Sequence, residues 1–259
     1  MRWLELEGAV NARDVGGLPT DDGGRIARRR LLRSDNLQDL TVTDIKLLVE
    51  EFDLTTVVDL RGTHEVQAEG PGPLRGVESV LHAHHSVLPE AGEATDAGAE
   101  AMLGHRRERA LARYPADPVC AIYLGYLEDR PDSVVGALRS VAAARGAALV
   151  HCAAGKDRTG VVVALALSVA GTRRDAVIAD YAASGNRISG ILARLRASPT
   201  YAPDLAKRPD DADHTPRAET MATFLDQIDV RYGGVHSWLS EHGFDGAETD
   251  LLRAKLIES

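Results

Sequence analysis

The chain reads His-Cys-Ala-Ala-Gly-Lys-Asp-Arg-Thr-Gly over residues 151–160, a segment called here the cysteine loop. An apolar stretch at 147–151 reads as a strand before it, and an apolar stretch at 161–170 suits a buried helix after it. A loop that runs from a strand onto a helix N-terminus points successive backbone N–H groups into one concavity. Because the positive end of the helix dipole lies there, this segment suits a phosphate dianion and favours a thiolate.

Two side chains of the cysteine loop carry chemistry. Cys152 opens the loop, and a helix N-terminus with a nearby cation commonly lowers a cysteine pKa to about 3.5–7.5. Arg158 follows after five intervening residues, which brings its planar guanidinium to the same concavity, where it can hold two phosphoryl oxygens as a lysine could not. The positions between them that would line a phosphate pocket are Ala153, Ala154, Gly155 and Lys156.

Two other interpretations of the loop fit the residues less well. A Walker-type loop needs a glycine five residues before Gly155, where Val150 stands, and a Ser or Thr after the lysine, where Asp157 stands. A purely structural cysteine would not explain why an arginine, a threonine and two glycines follow in register. The other cysteine, Cys120, lacks such neighbours and reads as a small buried apolar residue.

Composition narrows the class of protein. The 259 residues carry a formal net charge of −9, so the basic stripe expected of a nucleic-acid binder is not indicated. Two cysteines form no disulfide framework and fit a reducing compartment. Residues 1–5 lack the pattern of a signal peptide, and the apolar stretch at 161–170 is about half the length of a membrane span. We therefore expect a cytoplasmic protein without an integral membrane segment, although export without a signal peptide stays open.

Strands alternate with helices along the chain. Residues 57–60 read as a short buried strand, and apolar residues at spacings between 37 and 48 suggest an amphipathic helix before it. A second unit consists of a helix at 134–141 and the strand at 147–151. This alternation predicts an α/β fold in which helices flank a central, largely parallel sheet, formed by a single domain of residues 1–259.

Two stretches have little apolar periodicity. Residues 67–118 are rich in Gly, Pro and Ala, and residues 198–216 carry four prolines. The second stretch lies between candidate helices at 187–197 and 217–231. The excursion at 187–231 is therefore interpreted either as a helical lid over an active site or as a surface connection, and the sequence leaves both open.

The loop resembles the Cys-x5-Arg-Ser/Thr signature of the protein tyrosine phosphatase superfamily, and it is similar in particular to bacterial tyrosine phosphatases whose loop reads Gly-Lys-Asp-Arg-Thr-Gly. Segments 11–18 (Asn-Ala-Arg-Asp-Val-Gly-Gly-Leu), 32–35 (Leu-Arg-Ser-Asp) and 58–61 (Val-Asp-Leu-Arg), with Glu65, resemble N-terminal motifs of that family in the usual order. The resemblance implies a phosphatase of the tyrosine or dual-specificity class that needs no cofactor and no metal.

The same resemblance implies roles for individual residues. Cys152 would attack phosphorus to form a phospho-cysteine intermediate, and Arg158 with the loop amides would stabilise the charge on the equatorial oxygens. Thr159 would donate a hydrogen bond to the thiolate, and His151 would orient the loop.

The proton donor is less well defined. Asp157 resembles the acid proposed for relatives with Lys-Asp-Arg in the loop, and it is the favoured candidate. Asp59 at the end of a predicted strand and Asp117 in the region before the cysteine are further candidates. A different interpretation, that Asp157 only pairs with Lys156 or Arg158, stays open.

Lys156 bears on the substrate. A second cation at the rim favours substrates with more than one phosphate, so we expect hydrolysis of phosphotyrosine and of phosphoserine, phosphothreonine or phosphoinositides. The expected partners are a phosphorylated protein or a phosphoinositide and no nucleic acid. The oligomeric state and the physiological substrate do not follow from the sequence.

Two interpretations from other classes of protein stay open, and one structural pair of residues is also expected. The first is a phosphate-binding module without catalysis on the same fold. The second is a metal-dependent hydrolase, suggested by His82, His84 and His85, although these histidines are better interpreted as a strand or loop with solvated side chains near the site. Arg13 and Asp14 are expected to form a structural pair that supports the cysteine loop.

Overall fold

The computed structural model describes residues 1–89, 108, 112, 114, 117–207 and 210–258. Within these residues the chain forms one sheet of six strands. In chain order the strands are β1 (Arg2–Trp3), β2 (Arg13–Asp14), β3 (Leu31–Ser34), β4 (Leu54–Asp59), β5 (Leu81–His84) and β6 (Ala147–His151).

The sheet is mixed but mostly parallel. Its spatial order is β1-β2-β3-β6-β4-β5, in which β1, β2 and β3 pair antiparallel and β3, β6, β4 and β5 run parallel. Ser34 and Asp59 both stand opposite His151 in the registers of β3 and β4 with β6. The carboxyl ends of three parallel strands therefore meet at one edge, where the cysteine loop begins, as is usual for ligand sites in such sheets.

Helices pack on the sheet as the alternating pattern predicts. In chain order the α-helices of the described residues are α1 (Val42–Lys46), α2 (Thr63–Glu69), α3 (Pro118–Asp129), α4 (Pro131–Ala143), α5 (Asp157–Val169), α6 (Arg174–Ala183), α7 (Ile188–Ala197), α8 (Ala202–Ala206), α9 (Ala218–Tyr232), α10 (Val235–Glu241) and α11 (Gly246–Leu256). The predicted α/β fold with a largely parallel sheet is confirmed.

Two apolar clusters cover the two faces of the sheet. The larger one surrounds α5, whose residues are buried on nearly all sides, as its apolar sequence predicts. The smaller one lies on the other face and includes Leu32, Leu48, Val57 and Leu149. Strands with both faces covered read as continuous apolar runs, which explains why 57–60 and 147–151 were recognisable in the sequence.

One predicted helix begins later than the apolar spacing suggested. Leu37 and Leu40 are buried but precede helix α1, which begins at Val42 and continues as a π-helical turn at Leu47–Glu51. Thr41 ends the irregular segment because its side chain caps the helix and Asp44 completes a capping box. The apolar spacing between 37 and 48 therefore reflected shared burial rather than one helix.

The segments with weak periodicity contain short elements. Strand β5 and a 3₁₀ turn at Pro73–Gly76 lie in the stretch 67–118, part of which is outside the described residues. The candidate helices at 187–197 and 217–231 correspond to α7 and α9 to within about one residue at each end, which is the usual uncertainty of helix boundaries. Every helix within the described ranges is too short or too polar to span a bilayer.

Candidate active site

The cysteine loop joins β6 to helix α5 in a tight backbone curve. The Gly155 N–H group donates to Cys152 Sγ at 3.3 Å, so the sulfur lies on the concave side of the loop. Gly155 adopts a φ of 65°, and a β-carbon there would overlap the Ser34 carbonyl group of β3. A side chain at this position would therefore push the loop away from the sheet.

Three polar groups hold the loop from outside by its carbonyl oxygens. The Asn36 N–H group donates to the Ala153 carbonyl at 3.0 Å, and the Asn11 side chain donates to the Ala154 carbonyl at 3.0 Å. Arg33 Nη2 donates to the Gly155 carbonyl at 2.8 Å. Because the C=O and N–H groups of a trans peptide point in opposite directions, these outward carbonyls turn the following amides toward the concavity. This arrangement is suited to an anion.

Arg158 reaches the same concavity and is fixed by Glu65 of helix α2. Its Nη1 and Nη2 atoms donate to the two Glu65 carboxylate oxygens at 2.5 and 3.0 Å. Burial would lower the pKa of Arg158, but the charges of Glu65 and the Cys152 sulfur keep that pKa well above its usual value. The guanidinium is thus a permanent, oriented cation beside the sulfur.

Asp157 is held by two donors. Tyr123 donates from its hydroxyl to Oδ1 at 2.5 Å, and Lys156 Nζ donates to Oδ2 at 2.7 Å. Burial would raise the pKa of Asp157, but the Lys156 charge and these hydrogen bonds outweigh burial, so the pKa lies below its usual value. Without substrate, Asp157 is therefore a carboxylate paired with Lys156.

The two other candidate acids have partners of their own. Asp59 forms a two-pronged ion pair with Arg61, with Arg61 Nη2 at 2.6 Å from Oδ2. Burial would raise the pKa of Asp59, but His151 and Arg61 bring it far below its usual value. Asp117 caps helix α3 by accepting the N–H groups of Val119 and Cys120, each at 3.0 Å. Neither arrangement favours proton donation to a substrate.

His151 is the last residue of β6 and directly precedes Cys152. It is buried, and its Nδ1 atom is 3.4 Å from the Cys152 carbonyl while its Nε2 atom is 3.6 Å from Asp59 Oδ2. Burial lowers the pKa of His151 to about 4, although the nearby Asp59 carboxylate acts in the opposite direction. His151 is therefore neutral at pH 7 and suited to support the loop through Asp59 and the backbone.

Thr159 makes no hydrogen bond to the sulfur in this structure. It is fully buried at the start of α5, and its hydroxyl oxygen has no hydrogen-bond partner among the described residues. A buried hydroxyl without a partner is unusual. It remains available as a donor inside the site.

Arg13 supports the loop through a different partner from the one expected. Its Nε atom lies 2.9 Å from Asp180 of helix α6, and the other Asp180 oxygen lies 2.6 Å from Arg33 Nη1. Asp14 instead accepts the N–H groups of Gly16 and Arg29. The expected Arg13–Asp14 pair is wrong because neighbouring residues of a strand point to opposite faces of the sheet.

The histidines at 82, 84 and 85, in β5 and directly after it, form no common site. His84 Nε2 lies 2.7 Å from the Arg61 carbonyl, and His85 Nε2 lies 2.9 Å from Ser140 Oγ. The described residues contain no group of three or more His, Cys, Asp or Glu side chains that could hold a metal. Cys120 is fully buried, and burial raises its pKa to about 12, as expected for a structural cysteine.

Residues 188–206, called here the covering segment, lie directly on the cysteine loop. Ala153 and Ala154 form one apolar cluster with five buried side chains of that segment, which are Ile191, Leu192, Leu195, Tyr201 and Leu205. Arg194 pairs with Asp35 and Asp39, each at 3.2 Å. Cys152 itself is only 2% exposed and belongs to the larger apolar cluster. Helix α9, in contrast, belongs to the larger apolar cluster.

Comparison with known proteins agrees with this geometry. The sequence model described as "Tyrosine phosphatase family" matches residues 4–258. The chain belongs to the tyrosine phosphatase family. The predicted family and enzyme class are thereby confirmed, and so is the fold that the resemblance implied.

Two tyrosine phosphatase relatives show how far the likeness extends. The triple specificity protein phosphatase PtpB of Mycobacterium tuberculosis is 28% identical over 287 aligned positions, which cover 99% of this chain and 100% of PtpB. A tyrosine-protein phosphatase of Nostoc commune is 31% identical over 115 positions, which cover 43% of this chain and 39% of the relative. The first match extends over nearly the whole chain.

Several residues of the site were not assigned roles from the sequence. Glu65 was noted only as part of a motif. The hydrogen bonds and ion pairs at the site that involve Asn11, Arg33, Asp180 and Tyr123 were not predicted. Each acts across more than 30 positions of the chain. The one available signal in the sequence was the presence of arginine and asparagine in motifs that show no apolar periodicity.

Proposed function

We propose that this chain hydrolyses phosphotyrosine through a covalent phospho-cysteine intermediate on Cys152. The observation that supports this most strongly is the loop itself, in which the sulfur, the inward-facing amides and the Arg158 guanidinium share one concavity. Such a set of donors is matched to the charge that spreads over three equatorial oxygens during phosphoryl transfer.

In the first step, Cys152 Sγ forms a bond to phosphorus as the bond from phosphorus to the leaving oxygen breaks. The leaving oxygen keeps the electron pair and takes a proton from Asp157. In the second step, water attacks the phosphoryl group, Asp157 accepts a proton from that water, and the sulfur leaves as a thiolate. We assign the Thr159 hydroxyl, which has no hydrogen-bond partner among the described residues, as the donor to that thiolate.

Asp157 must be protonated for the first step, although it is ionised in the absence of substrate. An arriving phosphate adds negative charge near the carboxylate and offers Lys156 a stronger partner, and both effects raise the pKa of Asp157. We therefore assign Asp157 as the acid and Lys156 as a contact to substrate phosphate. The Lys156–Asp157 ion pair is then the state of these two residues before substrate binds.

The substrate range extends beyond phosphotyrosine in our proposal. Lys156 adds a cation beside Arg158 at the rim of the site, and its side chain is 13% exposed. The PtpB relative is named for triple specificity. Both observations support activity on phosphoserine or phosphothreonine and on phosphoinositides, whose additional phosphate would bind Lys156.

Cys152 is nearly buried, and the covering segment lies on Ala153 and Ala154, the two loop residues that follow it. The covering segment is tied to the rest of the protein by one apolar cluster, by Arg194, and by a hydrogen bond from Ser198 to Glu69 at 2.7 Å. We propose that this segment is a lid that opens for substrate. The single-domain organisation and the cytoplasmic location stay predictions from the sequence.

An assay on an aryl phosphate in the presence of EDTA tests the proposed function. We expect turnover that vanadate inhibits and that Cys152→Ser abolishes while substrate binding is kept. Turnover that requires a metal would favour a metal-dependent hydrolase. Binding without turnover in the unaltered protein would favour a phosphate-binding module without catalysis. Either result would overturn the proposal.

A further inference from the structure

Tyr123 is a buried residue of helix α3 whose hydroxyl reaches the candidate site. It donates to Asp157 Oδ1 at 2.5 Å, and the Tyr181 hydroxyl of helix α6 lies 2.7 Å from the Tyr123 oxygen. Tyr123 and Tyr181 are each only 1% exposed. Two buried hydroxyls thus form a chain that ends on one carboxylate of the cysteine loop, which strengthens each hydrogen bond in it.

Aromatic contacts fix the ring of Tyr123. Tyr181 and Phe224 meet it edge-on with centroid distances of 6.1 and 5.9 Å, and Tyr126 stacks on it at 6.0 Å. Tyr181 in turn packs against Gly160, where a β-carbon would lie 2.8 Å from the ring. Because helices α3, α6 and α9 all contribute to this contact, the position of the Tyr123 hydroxyl is set by the core.

The two oxygens of Asp157 therefore differ. Oδ1 is bound to a group that cannot move without disturbing the core, whereas Oδ2 is bound to Lys156, whose four-carbon stem allows its ammonium group to turn to another partner. When a substrate phosphate attracts Lys156, Oδ2 becomes free and Oδ1 does not. The oxygen that exchanges a proton with the substrate is then Oδ2.

We propose that Tyr123 is a positioning residue, which holds Oδ1 of Asp157 so that Oδ2 faces the leaving group. This inference rests on the proposed function. As the bond from phosphorus to the leaving oxygen breaks, the electron pair stays on that oxygen and the proton on Oδ2 moves to it. Oδ2 later accepts a proton from the attacking water, which restores the starting state once the bond between phosphorus and sulfur breaks.

The surroundings of Asp157 predict the direction of a pH effect. Lys156 and Arg158 face it from the loop, Tyr123 and Tyr126 from helix α3, and Tyr181 from helix α6. Among the three tyrosines, Tyr123 is the one that donates directly to the carboxylate. Loss of its hydroxyl therefore disfavours the charged form and raises the pKa of Asp157. The rate decline caused by deprotonation of the acid then occurs at a higher pH.

The test is the pH dependence of kcat for Tyr123→Phe with 4-nitrophenyl phosphate and with phenyl phosphate, whose leaving group needs a proton more. We expect kcat for phenyl phosphate to fall by about tenfold, as for loss of one hydrogen bond to a charged group, with a smaller loss for 4-nitrophenyl phosphate. KM should change little, and the decline of kcat should shift to higher pH. In an Asp157→Asn background, Tyr123→Phe should add almost nothing, because the two residues act together.

Tyr126→Phe is the matched control, since it removes a phenol hydroxyl from the same helix and no hydrogen bond joins Tyr126 to Asp157 among the described residues. Tyr181→Phe keeps the Tyr123 contact and should shift the pH decline less, in the same direction. An unmoved decline in a Tyr123→Phe protein with normal thermal unfolding, or an equal loss in the Asp157→Asn background, would overturn the inference. Inactive unaltered protein would instead refute the proposed function itself.

Discussion

The hydrogen bonds between Glu65 and Arg158 give the clearest example of function set by single residues. An arginine can bind a phosphoryl group in a two-pronged way only if its guanidinium plane is already oriented, since free rotation would cost entropy on binding. Glu65 supplies that orientation with two hydrogen bonds and is itself mostly buried. The predicted cost of removing it falls on catalysis rather than on folding.

Glu65→Gln should lower kcat by about 10- to 100-fold, the range expected when one charge-assisted contact is lost. The measurement is steady-state hydrolysis of an aryl phosphate at several pH values. Gln67→Ala, an exposed change on the same helix, is the control and should keep full activity. An undiminished kcat in Glu65→Gln would show that Arg158 is oriented by other groups.

Lys156→Ala should affect substrates unequally. Loss of this cation should lower kcat/KM for a phosphoinositide at least about tenfold more than for a phosphotyrosine peptide, because one hydrogen bond to a charged group is worth about 1.5–3 kcal/mol. Changes in the Asp157 proton should affect both substrates alike and cancel in the ratio. Lys46→Ala, on an exposed position of α1, provides the control, and equal losses for both substrates would contradict the role given to Lys156.

His151 links the site to the pH dependence of stability. Because the pKa of His151 is about 4 in the folded protein and near 6.5 when unfolded, the unfolded chain binds the proton first. Stability from this group is present above pH 6.5 and is lost as the pH falls toward 4, by about 3 kcal/mol at most.

Urea unfolding at pH 7.5 and pH 5 should therefore show a smaller acid-induced loss of unfolding free energy in His151→Asn than in the unaltered protein. The comparison uses the loss of unfolding free energy between pH 7.5 and pH 5, so it is valid even if the variant is less stable at both pH values. Identical losses in the two proteins would mean that His151 is not buried as a neutral ring.

At the scale of elements, the covering segment is the part most separable from the core. Its apolar side chains contact the cysteine loop, whereas α9, which follows it, packs into the larger cluster. A segment with few buried contacts opens at a lower free energy than the core around it. This division suits a lid whose motion leaves the catalytic residues in place.

Leu195→Ser should open the covering segment more often and increase the rate at which iodoacetamide alkylates Cys152, by about tenfold for a loss of about 1.4 kcal/mol of local stability. Ala193→Ser, on the exposed face of the same helix, should leave the rate unchanged. Mass spectrometry of the labelled protein gives the rate at Cys152 separately from Cys120. If both variants react like the unaltered protein, the segment does not control access.

For the whole molecule, the parallel sheet explains why distant parts of the chain meet at one site. Strands β3, β4 and β6 end at the same edge, so the segments that follow them supply Asn36, Glu65 and the cysteine loop. Helix α6 then adds Asp180 behind the loop. Because β6 lies between β3 and β4 in the sheet, the cysteine loop, which comes last of the three in the chain, lies between the two segments that precede it in the sequence.

The sequence allowed the nucleophile loop and its flanking strand and helix to be predicted, because these features are local. Cys152 and Arg158 lie within one loop, and the apolar runs beside them follow from burial in a two-sided sheet. The partners of Arg13 and Arg158 could not be predicted, since Asp180 and Glu65 are joined to them only by the fold. The role of Tyr123 was hidden for a further reason, because a buried aromatic residue normally reads as packing alone.

Trapping the intermediate tests the central claim most directly. The protein is mixed with an aryl phosphate, quenched in acid within the first turnovers, digested and analysed by mass spectrometry. We predict one phosphoryl group on the peptide that contains Cys152, and none on the corresponding peptide of Cys152→Ser. Steady turnover without phosphorylation of Cys152, or turnover that survives in Cys152→Ser, would contradict the account.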